Sequence, residues 1–347
     1  MTPRGTDWGL ALLVAVGAAT GLGTWFAGAP PNAWVFAAHA AAGIGLAMLL
    51  GWKLRRVWPR VALSSASALV LVVAALASGF LWASGVRLGV AGYNLLNWHV
   101  VAGGVLAAVV GAHAALRAKP LRARDLSSRR QFLTAGALAA GALGAWALQR
   151  PAQRALGLRG ASRRFTGSYD AGSFSGNAFP TTSWLADAPR PVQPGPYRLE
   201  VTGLVERELK LGLADLDRGD ELTATLDCTG GFVSTQRWRG VRVGSLLDEA
   251  GPAAGAAHVR VISRTGYRWS FALADARALV LATRVGDEPL AHGHGAPCRL
   301  VAPDRRGFQW VKWVARIEVH EDPDPGAVAS TLWSSFTAQG RGASARA

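Results

Sequence analysis

Long apolar stretches dominate the first 150 residues, and short alternating runs follow in the rest of the chain. Each stretch is close to the ~20 residues that a helix needs to cross a bilayer. The pattern therefore predicts an α-helical membrane bundle of five transmembrane helices, of which the fifth is the shortest. The stretches cover residues 8–28, 33–52, 61–84, 95–117 and 132–148.

Short segments with alternating apolar and polar residues predict a different structure for the second half of the chain. Residues 197–202, 258–263 and 310–319 have the pattern of strands, and residues 243–250 have that of a helix. Mixed short strands with few helices indicate an α+β domain, and ~170 residues are enough for a core of its own.

The charge of the chain is unevenly distributed. The whole sequence has 37 Lys and Arg against 22 Asp and Glu, a formal net charge of +15. Residues 1–150 contain 13 of the basic residues but only two acids, whereas the second half is nearly balanced. The excess clusters in loops between apolar stretches, where it reports membrane topology. We therefore expect a membrane as partner and no nucleic acid.

Basic residues in the loops predict the orientation of the helices. The loop 53–60 holds four of them and the loop 117–130 holds six, whereas 28–32 holds none and 86–94 only Arg87. By the positive-inside rule, both basic loops are expected on the cytoplasmic side of the inner (plasma) membrane. The α+β domain is then expected on the extracytoplasmic, periplasmic side. Arginines after the fifth helix favour the opposite orientation. They stand at positions 150, 154, 159, 163 and 164.

A short polar segment precedes the fifth apolar stretch. Residues 127–133 read Ser-Ser-Arg-Arg-Gln-Phe-Leu and lead into a run of Ala, Gly and Leu. This resembles a twin-arginine export signal placed inside the chain, which would carry a domain already folded around its cofactor across the membrane. No obvious small-residue cleavage site follows, so we expect the segment to remain as an anchor. A simple cytoplasmic anchor of positive charge is the alternative.

Three histidines lie inside the apolar stretches, where an imidazole is costly and normally has a function. His99 and His113 are fourteen residues apart, which on a helix gives a rise of about 21 Å and faces about 40° apart. This spacing resembles that of membrane cytochromes b, in which one helix ligates two haems. His39 and His99 both lie within about 10 Å of the outer surface, so we expect their neutral imidazoles to ligate one haem b.

The inner end of the bundle has no second pair. Fourteen residues beyond His39 stands Lys53, so His113 has no intramembrane histidine opposite it and is only a candidate ligand of a second haem. Ordinary polar packing between helices, or a histidine near a loop at the membrane interface, is the alternative for His39 and His99.

Cys228 is one of two cysteines, the other being Cys298, and it stands in a glycine-rich turn. Its segment is the first of four that together resemble the molybdopterin domain of the sulfite oxidase superfamily. They are Leu-Asp-Cys-Thr-Gly-Gly-Phe at 226–232, Trp-Arg-Gly-Val at 238–241, His-Gly-Ala-Pro-Cys-Arg-Leu-Val at 294–301 and Gly-Phe-Gln-Trp-Val-Lys-Trp at 307–313. The resemblance covers roughly residues 165–320. It is closest to the bacterial exported branch typified by the periplasmic molybdenum methionine sulfoxide reductase.

This resemblance implies a molybdenum atom held by one molybdopterin, by oxo ligands and by one protein thiolate. Cys228 matches the thiolate, and a deprotonated sulfur suits a high-valent metal. His294 and Arg299 would bind polar groups of the cofactor, and Lys312 its terminal phosphate. The other matching positions are Trp310 and Val311, beside the phosphate, and Asn177, Phe179, Pro180, Thr181 and Ser263 around the rest of the cofactor.

The sequence departs from the family at positions that concern the substrate. The cationic run that follows the cysteine in sulfite oxidases is absent, because Thr229 and two glycines follow Cys228. This argues against sulfite. Arg305 and Arg306 replace a common aromatic and are candidates for selecting an anionic or polar substrate, with surface charge or phosphate binding as alternatives. Cys298 occupies an apolar position of its motif and should behave as a small hydrophobic residue.

These features predict a molybdenum cofactor-dependent oxidoreductase that transfers oxygen atoms and exchanges electrons with a haem b in the membrane. By analogy with the exported reductases, quinol or another electron carrier would feed the haem, and a small S-oxide or N-oxide would be reduced. One alternative is an oxidase of sulfite or another small reduced compound that donates electrons to the haem. Another is a non-catalytic haem electron-transfer or sensor module.

The expected domains follow from the same features. The order is a four-helix haem b domain at 1–126, a signal anchor at 127–150, a linker at 151–176, a molybdopterin-binding domain at 177–320 or from 165, and a polar tail at 321–347.

Overall fold

The structure is a computed structural model that describes residues 2–57, 63–117, 119, 120, 122, 125, 129–182 and 189–330. The chain divides into two compact units, Met1–Tyr169 and Asp170–Ala347. The first is built mainly of helices, and the second contains two β-sheets with short helices.

Five helices form the first unit. They are α1 (Pro3–Gly23), α2 (Ala33–Val57), α3 (Leu63–Ala83), α4 (Leu95–Arg117) and α5 (Arg129–Ala155), and the strands β1 (Gly89–Val90) and β2 (Tyr93–Asn94) pair between α3 and α4. In the part of the chain that the structure describes, α1, α2, α4 and α5 are long and apolar enough to span a membrane, by length and composition. Within α3 the described apolar segment is shorter, Ser67–Ala83.

Polar groups at the helix ends explain where the observed helices differ from the predicted stretches. Helix α1 begins at Pro3 because Thr2 Oγ1 accepts a hydrogen bond from Gly5 N at 3.1 Å, which caps the first turn. Helix α5 was predicted as the shortest, which is wrong: at 27 residues it is the longest of the five. It continues beyond the hydrophobic stretch, and Gln153 Nε2 donates to the carbonyl of Ala83 at 3.1 Å. The first residues of the predicted linker are therefore helical.

Helices α1 to α4 share one apolar core. Val14 of α1, Leu46 of α2, Val72 and Ala75 of α3, and Leu106 of α4 are all buried in it. This packing places neighbouring faces of α1 and α2, and of α3 and α4, close enough for the side chains described below to meet.

The second unit contains most of the strands. After β3 (Tyr169–Asp170), at the division of the chain, they are β4 (Leu199–Gly203), β5 (Leu209–Leu211), β6 (Asp220–Asp227), β7 (Phe232–Arg242), β8 (His258–Ser263), β9 (Arg268–Ala272), β10 (Val280–Val285), β11 (Glu288–Pro289), β12 (Arg299–Val301) and β13 (Val314–His320). Among the described residues of this unit, the α-helices are α6 (Val243–Ala250) and α7 (Leu273–Ala276). One sheet has the strand order β5-β4-β13-β8-β9, in which β4 and β13 are parallel.

The second sheet is built around a long hairpin. Strand β6 pairs with β7 in register from Asp220 opposite Gly240 to Asp227 opposite Val233. Strand β7 also pairs with β10, and β10 pairs with β11 and β12. The hairpin turn contains Cys228, and β12 begins with Arg299, so this sheet positions two residues of the predicted cofactor site.

Local sequence patterns predicted several of these elements. The helix at 243–250 and the strand at 258–263 are confirmed with the same bounds. The strand predicted at 310–319 is only partly correct, since β13 begins at Val314. Before it, a short 3₁₀ turn at Gly307–Gln309 leads into Trp310, and the Val311 carbonyl accepts a hydrogen bond from Leu300 N.

The first residues of the predicted polar tail are held by ion pairs on the first sheet. Asp324 Oδ2 lies 3.1 Å from Arg260 Nε and 2.5 Å from Arg268 Nε. Burial raises the pKa of Asp324, but the Arg268 hydrogen bond and neighbouring charges lower it more, so its pKa lies below its ordinary value. The described part of this segment ends at Ser330, whose Oγ donates to the Arg268 carbonyl at 3.1 Å.

The Asp324 contacts predict a pH dependence of stability. A carboxyl group whose folded pKa is depressed stabilises the fold above its unfolded pKa, and the contribution is lost as the pH falls through the folded value. Relative to wild type, Asp324→Asn should lower the Tm of the α+β domain by about 3 °C at pH 7, corresponding to about 1 kcal/mol. Differential scanning calorimetry of the full chain at pH 7 and pH 3 measures the Tm of wild type and of Asp324→Asn at each pH. An equal difference between the two proteins at both pH values would contradict the prediction.

Candidate functional site

Cys228 lies in the tight turn that joins β6 to β7. Its N–H donates to the Phe232 carbonyl at 2.9 Å, and its own carbonyl accepts from Gly231 N at 3.0 Å. The turn needs glycine at Gly231, where φ is +96°. Cys228 Sγ accepts a hydrogen bond from Gly230 N at 3.3 Å and lies 3.2 Å from Thr182 Oγ1. The sulfur thus lies among polar groups of the turn and of the Thr182 loop, and a thiolate is the form of cysteine that ligates a metal.

His294 and Asn177 join the loops beside this turn. His294 Nε2 donates to the Asn177 carbonyl at 3.0 Å, and its ring lies against Phe179 with 3.8 Å between centroids. Burial lowers the pKa of His294 to about 4, with the charges of Arg299 and Lys312 acting in the same direction. The imidazole is therefore neutral at pH 7.

The Asn177 side chain is already used within the protein. Its Nδ2 donates to the carbonyl of Pro289 at 2.9 Å, and its Oδ1 accepts from Ala291 N at 2.8 Å. The structure thus gives this side chain a role in holding the loop before His294, and the predicted contact with the cofactor stays a prediction.

Arg299 is a cation in the interior of the domain, with 1% of its surface exposed. Its Nη1 donates to the His294 carbonyl at 3.1 Å, but its Nε has no hydrogen-bond partner among the residues that the structure describes. The guanidinium carbon lies 5.0 Å from the Trp238 ring centre and 5.6 Å from that of Trp310. Burial lowers the pKa of Arg299 to about 9, and the charge of Cys228 opposes that shift. A buried guanidinium with an unsatisfied N–H fits an anionic group of a bound cofactor.

Lys312 closes the same region from the other side. Its Nζ donates to the carbonyls of Thr182 at 2.6 Å and Gly293 at 2.7 Å. Gly295 lies between the two cations: φ is +110°, and a Cβ there would be 3.0 Å from Arg299 Cβ and 3.1 Å from Lys312 Cβ. Lys312 therefore ties together the loop of Thr182 and the loop of His294, as a cradle for an anionic cofactor would require.

The other predicted contacts lie in two environments. Ser263, Val311 and Trp310 are buried, and Ser263 Oγ accepts from Thr265 N at 3.3 Å. Pro180 and Thr181 are exposed next to Thr182. Sequence reasoning missed Thr182 and Gly295. The signal for Thr182 was a hydroxyl next to the predicted contact Thr181, and that for Gly295 was the glycine inside its own motif.

The two candidate substrate arginines form ion pairs. Arg305 lies on the surface, and its Nη2 is 2.7 Å from Asp275 Oδ2. Arg306 is buried, and its Nη1 is 2.6 Å from Oδ1 of Asp227, the residue before Cys228. The structure therefore brings Arg306 next to the thiol turn, whereas Arg305 faces an exposed carboxylate.

Cys298 is fully buried, as its apolar position predicted. Burial raises the pKa of its thiol to about 12. It is not part of the site formed around Cys228.

In the helical unit, His39 of α2 and His99 of α4 face each other. Their Nε2 atoms are 3.4 Å apart, and the rings are nearly perpendicular at 88°. His39 Nδ1 lies 3.0 Å from the Gly17 carbonyl, and His99 Nδ1 lies 2.8 Å from the Ala75 carbonyl. A carbonyl only accepts, so each Nδ1 carries the proton and each Nε2 presents a lone pair to the other.

Two facing lone pairs repel unless a cation lies between them. Metal-bound histidines commonly donate their second N–H to a carbonyl, as both rings do here. A metal ion between the rings needs an Nε2 separation of about 4 Å at metal–nitrogen distances of about 2 Å, so a small opening of the 3.4 Å gap suffices. The pair could therefore hold a metal ion through two imidazoles, and the predicted haem b iron stays a prediction.

Two glycines that sequence reasoning missed leave room for these rings. A Cβ at Gly79 of α3 would be 2.8 Å from His99 Cε1, and a Cβ at Gly21 of α1 would be 3.3 Å from His39 Cε1. At Gly103 and Gly104 of α4, a Cβ would meet nothing within 4 Å among the described residues. His113 is exposed on α4. Of the twin-arginine segment, Arg129 and Arg130 begin α5, and residues 127 and 128 lie outside the described residues.

The α+β fold, the thiol turn and the buried cations define a molybdopterin-binding oxidoreductase domain. Residues 186–328 match the family model for the oxidoreductase molybdopterin binding domain. This match supports the predicted molybdopterin-binding domain in this part of the chain.

Three relatives are similar to part of the chain. The nitrate reductase [NAD(P)H] of Hordeum vulgare is 32% identical over 35% of this chain and 18% of its own length. The mitochondrial sulfite oxidase of Rattus norvegicus is 30% identical over 38% of this chain and 30% of its own. The protein-methionine-sulfoxide reductase catalytic subunit MsrP of Gluconobacter oxydans (strain 621H) is 30% identical over 38% of this chain and 49% of its own. The chain thus spans less than half the length of each of these relatives.

Proposed function

We propose that the chain is a membrane-anchored oxidoreductase that passes electrons between a haem b and a molybdenum centre and reduces a small S-oxide or N-oxide. The observation that carries the proposal is the facing pair of Nε2 atoms in His39 and His99, 3.4 Å apart. With haem bound, the pair would add a second redox site to a chain that has a molybdopterin-binding domain.

Bound molybdopterin would supply two-electron oxygen-atom transfer, and bound haem b would supply single-electron exchange. Cys228 would ligate the molybdenum as a thiolate, which Gly230 N and the Thr182 hydroxyl stabilise. Arg299 would bind the anionic part of the cofactor through its Nε–H, and the positive charge of Lys312 nearby would favour the same anion. His39 and His99 would hold the haem iron, with quinol or another carrier as the external electron donor.

A membrane location is supported by the four long apolar helices and by the two basic loops of the sequence. We place the loops in the cytoplasm and the molybdopterin domain on the extracytoplasmic side of the plasma membrane. An alkaline phosphatase fused after residue 330 should then be active in cells, and a fusion in the 53–60 loop should be inactive. The reverse pattern would invert the proposed orientation.

The ion pairs of the two candidate arginines favour an uncharged oxide as substrate. Arg305 pairs with Asp275, and Arg306 pairs with Asp227. Each guanidinium thus has a carboxylate partner that lowers its attraction for an anion. The relative from Gluconobacter oxydans is named as a methionine sulfoxide reductase, which agrees with reduction of an S-oxide. The relative named sulfite oxidase supports the second candidate, oxidation of a small sulfur compound with the haem as acceptor.

The direction of electron flow separates these candidates. The purified full chain is reduced with a limiting amount of dithionite, and dimethyl sulfoxide or trimethylamine N-oxide is added while the haem spectrum is recorded. We expect the oxide to reoxidise the haem in wild type and about 100-fold more slowly in Cys228→Ser, because ligand substitution disables the metal.

Sulfite added to the oxidised chain is the matched opposite test. It should leave the haem oxidised. Reduction of the haem by sulfite, without reoxidation by either oxide, would establish the oxidase instead. Haem in a chain without molybdenum would indicate the electron-transfer or sensor module.

A further inference from the structure

A buried ion pair joins two segments of the α+β domain that lie 79 positions apart in the sequence. Arg306 Nη1 is 2.6 Å from Asp227 Oδ1, and the two side chains are 6% and 1% exposed. Burying both charges costs desolvation energy that an apolar pair would avoid. A buried pair is therefore weak support for stability, and fixing one arrangement of two segments is its better-founded use.

The first segment carries the sulfur. Asp227 is the last residue of β6 and pairs in register with Val233 of β7. Cys228 follows directly and is held by its own N–H to the Phe232 carbonyl at 2.9 Å. A shift of Asp227 along or across the sheet would therefore move Cys228 Sγ with it.

The second segment carries predicted cofactor contacts. Arg306 begins the 3₁₀ turn Gly307–Gln309, and its N–H donates to Gln309 Oε1 at 3.1 Å. The turn lies directly on the thiol turn, since a Cβ at Gly307 would be 3.0 Å from Cys228 Cα and 3.2 Å from the Asp227 carbonyl. Trp310, Val311 and Lys312 follow within six residues of Arg306.

We infer that Asp227 and Arg306 are a positioning pair that sets the Cys228 sulfur in register with the cofactor-binding segment 310–312. This rests on the proposed ligation of molybdenum by Cys228. A metal held by a thiolate and by a cofactor anchored elsewhere needs both attachments at a fixed separation. The charge-assisted bond between the two side chains supplies that constraint directly behind the ligand.

The test uses variants that change the pair without removing any predicted ligand. Arg306→Lys keeps the charge but loses the fork geometry of the guanidinium. The double variant Asp227→Asn with Arg306→Gln removes both charges, so no uncompensated charge stays buried and folding is preserved. Arg218→Gln is the matched control, because it breaks a half-exposed ion pair with Glu249 at 3.0 Å in the same domain.

Thiol labelling of the cofactor-free full chain reads out the position of Cys228 apart from activity. Cys298 is fully buried, so its labelling reports global unfolding and serves as an internal reference. In Arg306→Lys and in the double variant, iodoacetamide should label Cys228 about tenfold faster, through easier local opening, while Cys298 stays protected. In cofactor-loaded protein, we expect less molybdenum per chain and an altered electron paramagnetic resonance spectrum of what is retained.

The outcomes separate the inference from the function it rests on. Wild-type labelling, molybdenum content and spectrum in the folded double variant would overturn the positioning role. Equal acceleration at Cys298 would also overturn it, because the pair would then only stabilise the fold. Full molybdenum content in Cys228→Ser would refute ligation by Cys228 itself, whatever the pair does.

Discussion

Replacing Cys228 with serine should lower the molybdenum content of the purified chain by about tenfold or more, because a neutral hydroxyl is a far weaker ligand than a thiolate. Gly230 N lies 3.3 Å and Thr182 Oγ1 lies 3.2 Å from the sulfur. Serine replaces the sulfur with a smaller, protonated oxygen. Turnover of any oxide should fall with the metal. Elemental analysis of the metal, normalised to protein, measures the effect.

The control for this variant is Cys298→Ala. Cys298 is fully buried and its thiol has a pKa of about 12, so it is protonated and cannot replace Cys228 as a ligand. Its variant should keep the wild-type molybdenum content. The haem spectrum should be unchanged in both variants, since His39 and His99 are untouched. Equal metal loss in the two cysteine variants would mean that folding, and not ligation, was changed.

The second large effect is expected at the histidine pair. His99→Ala should abolish the dithionite-reduced-minus-oxidised spectrum of a b-type haem, because one axial nitrogen is lost. Gly79→Ala should lower the haem content by about tenfold, the size of effect typical for groups that orient a metal-bound histidine. Its Cβ would lie 2.8 Å from His99 Cε1, so the ring or helix α3 must move.

Gly103→Ala is the matched control for the glycine variant. A Cβ there meets nothing within 4 Å, although Gly103 lies in α4, the helix of His99. It should bind haem as wild type does. A normal haem spectrum in both His99→Ala and Gly79→Ala would refute ligation by this pair and remove the electron route from the proposed function.

Much of the fold follows from local patterns in the sequence. The helix at Val243–Ala250 and the strand at His258–Ser263 were predicted with their observed bounds, because buried apolar positions recur in them with the period of the element. The ends of α1 and α5 were not. Hydropathy does not register a Thr2 cap, or a Gln153 amide bound to the carbonyl of Ala83.

The candidate site was predictable wherever a residue's chemistry is unusual at its position. A cysteine in a glycine-rich turn and histidines inside apolar helices can be recognised without coordinates. Partners distant in sequence could not be predicted in this way. Arg305 and Arg306 are neighbours in the chain, yet one pairs with exposed Asp275 and the other with buried Asp227.

The sequence by itself determined the two-part organisation, the candidate metal ligands that stay predictions, and the elements whose periodicity is local. Only the tertiary structure decided that the Nε2 atoms of His39 and His99 face each other and that Gly79 leaves room for the His99 ring. It also decided that Arg306 forms an ion pair with Asp227, the residue before Cys228. The physical reason is the range of the interactions. Periodicity and hydropathy act within a few turns, whereas hydrogen bonds, ion pairs and steric fit depend on which distant segments the packed core brings together.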